Sequence, residues 1–287
     1  MQWWCSAQGI PWSWQWRPYP GVWVFMLGIL ALYLLMLRRE PGAGQRPRPR
    51  WRVVAGWGGV VLVWLALDWP IGTLGAGYLS SVHSTQFLLL TFIAPPLLLL
   101  GLGPRASGHG APAGSGTAAA RPGARPRSAV LGILAAALLF NVVVIATHMP
   151  RVVDRLMPTQ AGMFAIDAAW LGAGLLFWRQ VVLTARPFHP LAQIGYIFWG
   201  TLAHTGIGVY FLLAQFPVYR IFELAPPIPG FDPLSDQQLA GGIMELVGMF
   251  IIFGAVSVVA LHWMLGENRL ERENRERLAR NGVLPGA

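Results

Sequence analysis

Seven apolar runs, each close to the roughly 20 residues that a helix needs to cross the hydrocarbon layer, constrain this chain more than any other feature. They span about Val22 to Leu37, Val53 to Leu67, Tyr78 to Leu100, Ala129 to Thr147, Gln160 to Leu183, Leu191 to Ala214 and Gln237 to Leu265. The only economical way to keep backbone polar groups satisfied in such runs is the α-helix. The expected fold is therefore an all-α integral membrane protein, a seven-transmembrane helix bundle. Only 11% of the 287 residues are charged, against about 25% in soluble globular chains. A single soluble core is thereby excluded.

Residues 1–266 read as one seven-helix domain, and 267–287 as a charged tail. Two connectors, about 41–52 and 102–128, are rich in Pro, Gly, Ala and Arg and read as solvated linkers. In the tail, acid and base alternate from Glu267 to Arg280, which predicts an exposed helix continuing the seventh span.

Every basic residue is Arg, and the net charge is +9. An N-out topology puts 6, 4, 2 and 5 Arg in the loops after the first, third and fifth spans and in the C-terminal region, 17 of 21 in all. That is a positive-inside distribution. It assigns the N-terminus outside and the C-terminus to the cytoplasm, and it accounts for the basicity without nucleic acid. A single cysteine, Cys5, excludes a disulfide framework or a thiolate zinc site. The first 20 residues lack a basic start and do not read as a cleaved signal. Their Trp3, Trp4, Trp12, Trp14 and Trp16 read as interfacial anchors.

Ionisable groups inside spans cost several kcal/mol unless paired, ligated or hydrated. Asp167 falls roughly 10 Å, Glu245 roughly 12 Å and His204 roughly 15 Å below the outer ends of their spans. His83 enters the third span by about one turn, and His148 closes the fourth. Each has a plainer reading. His83 fits a solvated interfacial imidazole, His148 a helix C-terminal cation, and the other three interhelical hydrogen-bonding groups. His83 with Gln86, and Met163 with Asp167, share helix faces. Ser235 offers an N-cap for the seventh span, with Asp236 and Gln237 beside it, and Gly241-Gly242 offers close helix approach. Imidazole suits copper, zinc or iron, and thioether from Met149 or Met163 tilts the choice to copper.

The run Tyr78-Leu-Ser-Ser-Val-His-Ser-Thr-Gln-Phe, with Ala94-Pro-Pro, His148-Met-Pro, Gly174-Leu-Leu-Phe-Trp, Pro217-Val-Tyr and Asp236-Gln-Gln-Leu-Ala-Gly-Gly-Ile-Met, resembles the CtaG family of cytochrome c oxidase assembly factors. The likeness runs over about residues 50–265. It implies a multi-pass bacterial plasma-membrane protein that helps to mature the copper B centre of a haem-copper oxidase. It also implies a second His where Phe87 stands, and His-x-x-Glu-His where Met163, Ile166 and Asp167 stand. The expected protein is thus a non-enzymatic chaperone holding copper, with zinc or iron as alternatives. Its expected ligands are His83, His148, Met163, Asp167, His204 and Glu245. Gln86, Asp236 and Gln237 are expected behind them or at the entrance. An oxidase subunit or an extracytoplasmic copper chaperone is the expected partner. A transporter or channel using the same groups as a relay, and a metal- or haem-dependent membrane enzyme, are the rival readings.

Overall fold

A computed structural model of the chain describes residues 2–38, 48–103, 126–183 and 189–280. The Arg-rich connectors lie mostly outside these residues. All regular elements among the described residues are helical, and seven of the helical segments are long and apolar enough to cross a membrane. They are Pro20–Arg38 (α1), Arg50–Leu67 (α2), Ser80–Leu102 (α4, a π turn and α5), Val130–Thr147 within α6 (Pro126–Thr147), Gln160–Val182 (α8), Pro190–Leu213 (α9 and α10) and Pro233–Leu278 within α12 (Pro233–Arg280). Short helices Ile71–Gly77 (α3), Pro150–Leu156 (α7) and Arg220–Glu223 (α11) bridge spans at the end carrying the N-terminal segment.

Apolar side chains on the outer faces stay exposed, among them Val24, Leu27, Leu131, Leu138 and Phe250. A hydrocarbon environment removes the penalty that water would impose on them. Inside, α2 packs chiefly on α5, α10 on α12, and α12 on α4. Small residues set these approaches. Gly56 of α2 lies against Gly101 of α5 and the Tyr33 hydroxyl, so a methyl at either glycine would strike the opposite chain.

Two spans expected to be continuous are broken, for identifiable reasons. The third contains a π turn at Leu89–Ile93, just before Pro95-Pro96. Pro95 has no N–H to return to the Thr91 carbonyl. That carbonyl instead accepts from Trp178 Nε1 of α8 at 3.1 Å. The sixth span breaks at Thr201, between α9 and α10. Asn141 of α6 closes the gap: its Nδ2 donates to the Gly200 carbonyl at 3.0 Å, and its Oδ1 accepts from Ala203 N at 3.1 Å. Freed backbone groups in a membrane are tolerated only when reclaimed in this way.

The seventh span continues into the tail as expected, but its cap differs. It starts at Pro233 and runs unbroken to Arg280, absorbing the charged tail. Its cap is Asp232 rather than Ser235, since Asp232 Oδ2 accepts from the Ser235 N–H and hydroxyl at 3.1 and 3.2 Å.

The N-terminal segment departs most from its sequence reading. Trp14 and Trp16 are 71% and 52% exposed, as anchors should be, but Trp4 is 0% exposed. Trp4 is therefore a core residue, not an interfacial one. Gln160 Oε1, at the start of α8, accepts from the backbone N–H of Trp3 and Trp4 and draws the segment into the bundle. Cys5 follows it in, its thiol donating to the Leu67 carbonyl at 3.3 Å.

Candidate functional site

The polar interior gathers at the end of the bundle that carries the N-terminal segment. His83 lies in the first turn of α4, whose N-terminus is capped in trans. Asp236 of α12 accepts from the N–H groups of Ser80 and Ser81 and from the Ser81 hydroxyl. Gln237 ties the same end of α12 to the preceding loop, accepting from Val218 N at 2.6 Å and donating to the Phe216 carbonyl at 3.2 Å. Asp236 and Gln237 thus brace the helix ends around His83 and bond to neither imidazole.

His148 follows the end of α6. Its ring Nδ1 donates to the Val144 carbonyl at 2.8 Å, and its own carbonyl accepts from the Tyr219 hydroxyl at 2.8 Å. The first bond leaves Nε2 as the ring's remaining polar atom, and it has no partner. The helix-terminal reading of His148 therefore accounts for one nitrogen and not the other. The centroids of the His83 and His148 rings stand 6.5 Å apart. Neither nitrogen of His83 has a hydrogen-bond partner either, though the ring is only 2% exposed. The Gly75 carbonyl approaches His83, and the Met244 carbonyl approaches His204, without completing hydrogen-bond geometry. Buried polar atoms are normally satisfied, so orphan nitrogens on two adjacent imidazoles mark a site.

Aromatic side chains wall this pair. Trp170 lies 4.9 Å from His83 and 5.8 Å from His148 by ring centroids, Phe222 5.7 Å from His83, and Phe87 4.8 Å from His148. Trp170 is itself fixed by donating to the Thr147 hydroxyl at 2.8 Å.

The other expected ligands occupy separate places. His204, one turn after the Thr201 break, stacks on Phe87 at 5.9 Å and rests on Gly248 of α12. Both its nitrogens are also unpartnered. Glu245 is half-buried with its carboxyl against Gly208 of α10, and its Oε1 has no partner. Asp167 bonds to groups other than the imidazoles. Its Oδ2 accepts from Trp4 Nε1 at 2.8 Å and its Oδ1 from Gln86 Nε2 at 3.0 Å. Gln86 thus holds a carboxylate rather than orienting a ring. Met163 is fully buried one turn from Asp167. Among the described residues no three His, Cys, Asp or Glu side chains converge closely enough to hold one ion.

Trp170, Phe222 and Trp4 escaped the sequence reading of the site. The tryptophans and Phe222 are ordinary apolar residues of a membrane protein until packing places them. Beyond Phe222 opens a cleft of about 140 Å³, bordered by Tyr78, Glu223, Asp232 and Asp236. Of its lining residues, Phe222 also touches His83.

The comparison with known proteins bears on the same helices. No curated protein and no solved structure matches the chain. Residues 31–265, a stretch holding His83, His148, Asp167, His204 and Glu245, match the family model described as cytochrome c oxidase caa3 assembly factor. The chain belongs to that family of oxidase assembly factors, and its seven apolar helices form the scaffold on which the imidazoles are set.

Proposed function

We propose that this protein is a non-enzymatic, multi-pass plasma-membrane factor that binds copper between His83 and His148. It would stand N-out and C-in, and deliver the ion toward the copper B centre of a haem-copper oxidase. One observation carries the reading: two buried imidazoles from different spans lie side by side, and both nitrogens of His83 and Nε2 of His148 lack a hydrogen-bond partner. Imidazole nitrogen is a good copper ligand. The acidic cleft above Phe222 supports uptake of a cation from the N-terminal face. An oxidase subunit or a copper-donating protein is the partner this role requires.

A haem fits poorly. Bis-His ligation needs a broad porphyrin plane around the point between the two rings, and Trp170, Phe87 and Phe222 are packed against the pair on its flanks.

Elemental analysis of purified, reconstituted protein tests the proposal. Wild type should take up one copper per chain, and a His83→Ala, His148→Ala double variant none. Cells carrying that variant should assemble an oxidase depleted in copper B. Equal copper in wild type and double variant would defeat the reading.

A further inference from the structure

We infer that the His83–His148 pair is built for two-coordinate copper(I) and selects against divalent ions. The inference deepens the copper reading above and rests on it.

Spacing is the first argument. A metal about 2.0 Å from each ring nitrogen places opposed imidazole centroids about 6.4 Å apart, and about 5.5 Å or less at trigonal or tetrahedral angles. The observed separation is 6.5 Å. The rings are tilted by 54° to each other, which a linear arrangement permits because it allows free rotation about its axis.

Donor supply is the second. Nδ1 of His148 is spent on the Val144 carbonyl, so that ring offers Nε2 alone. The surrounding Trp170, Phe87, Phe222 and Phe211 contribute no donor atom. Both oxygens of Asp167 are taken by Trp4 and Gln86, and those of Asp236 by Ser80 and Ser81. Cys5 is bonded to Leu67. Gln86 Oε1, one turn along α4 from His83, is unpartnered, lies against Gly75 and carries no charge. Copper(II) and zinc need about four donors, and among the described residues no third His, Cys, Asp or Glu joins the pair.

Charge is the third. The cage supplies no counter-charge, and the Born cost of burying an ion rises with the square of its charge, about four times higher for a divalent ion. Copper(I), a soft monovalent cation content with two nitrogen donors, is the ion that this site penalises least.

The test uses full-length protein in detergent under anaerobic conditions, titrated with copper(I) against a chromophoric copper(I) chelator. One copper(I) per chain is expected, with the intense 1s→4p edge feature of two-coordinate cuprous ion and two nitrogen scatterers. Copper(II) and zinc(II), titrated alone, should bind at least about 100-fold more weakly. His83→Ala or His148→Ala should each weaken copper(I) by at least about tenfold, as a lost ligand costs no less than a lost supporting contact. His204→Ala should change it little. Copper bound by three or more donors, or zinc(II) bound as tightly, would overturn this inference and leave the copper-binding reading standing. Failure of wild type to bind copper in either oxidation state would bring down both. The edge spectrum is read on wild type, so no variant's folding decides the outcome.

Discussion

Trp4 Nε1 donates a 2.8 Å hydrogen bond to Asp167 Oδ2, joining the N-terminal segment to the middle of the fifth span across 163 residues. The carboxylate needs that donor, because Gln86 Nε2 is its other hydrogen-bond partner. Trp4→Phe keeps most of the packing against Phe25 and Phe164 but removes the N–H. It should cost about 1–3 kcal/mol, the usual penalty for orphaning a buried polar group. Trp4→Ala adds a cavity and should cost about 3–5 kcal/mol. Thermal unfolding in detergent measures both, and an unchanged midpoint for Trp4→Ala would show that the segment is not docked.

Cys5 lies beside Trp4, and burial pushes its thiol up from the ordinary range. The thiolate is the reactive form. Folded protein should therefore resist a maleimide at neutral pH, while denatured protein should label rapidly. Trp4→Ala should label at an intermediate rate, since it loosens the segment that hides the sulfur. A mass-spectrometric time course reads all three.

Helices α10 and α12 interlock through paired glycines: His204 rests on Gly248, and Glu245 rests on Gly208. Gly248→Ala should therefore destabilise by about 1–3 kcal/mol through overpacking. Combining it with His204→Ala should recover much of that loss. Gly242→Ala and Gly254→Ala meet open space and should be tolerated. If Gly248→Ala proved as mild as these two, the close approach would be refuted.

Asn141 should be equally sensitive. Asn141→Leu strands the Gly200 carbonyl and the Ala203 N–H at the break in the sixth span, at about 1–3 kcal/mol for each group left unsatisfied. Asn141→Asp keeps the acceptor for Ala203 and should lose less if the acid is neutral. Chemical denaturation distinguishes the two.

Phe87 contacts both His148 and His204, with centroids at 4.8 and 5.9 Å. Phe87→His should place a third imidazole beside the proposed ion and raise the nitrogen count of bound copper from two to three. X-ray absorption on the copper-loaded variant checks this. A count that stays at two would show that the added ring points elsewhere.

Much of this protein was legible in its sequence, because lipid imposes a simple rule. A helix must satisfy its own backbone over about 20 apolar residues, so the seven spans and the helical tail follow from hydropathy and charge alternation alone. The cost of burying ionisable groups likewise singled out His83, His148, Asp167, His204 and Glu245. Which of them meet was not legible. Hydropathy fixes how deep a residue sits on its helix but not the direction in which it points. That direction came from packing: the Thr201 break, the glycine contacts of α10 with α12, and Phe87 packed against two histidines. The fate of Trp4 was hidden for a related reason, since an indole serves an interface or a core equally well. Only the tertiary fold supplied a buried carboxylate for its N–H, and with it the reason that Asp167 faces Trp4 while His83 faces His148.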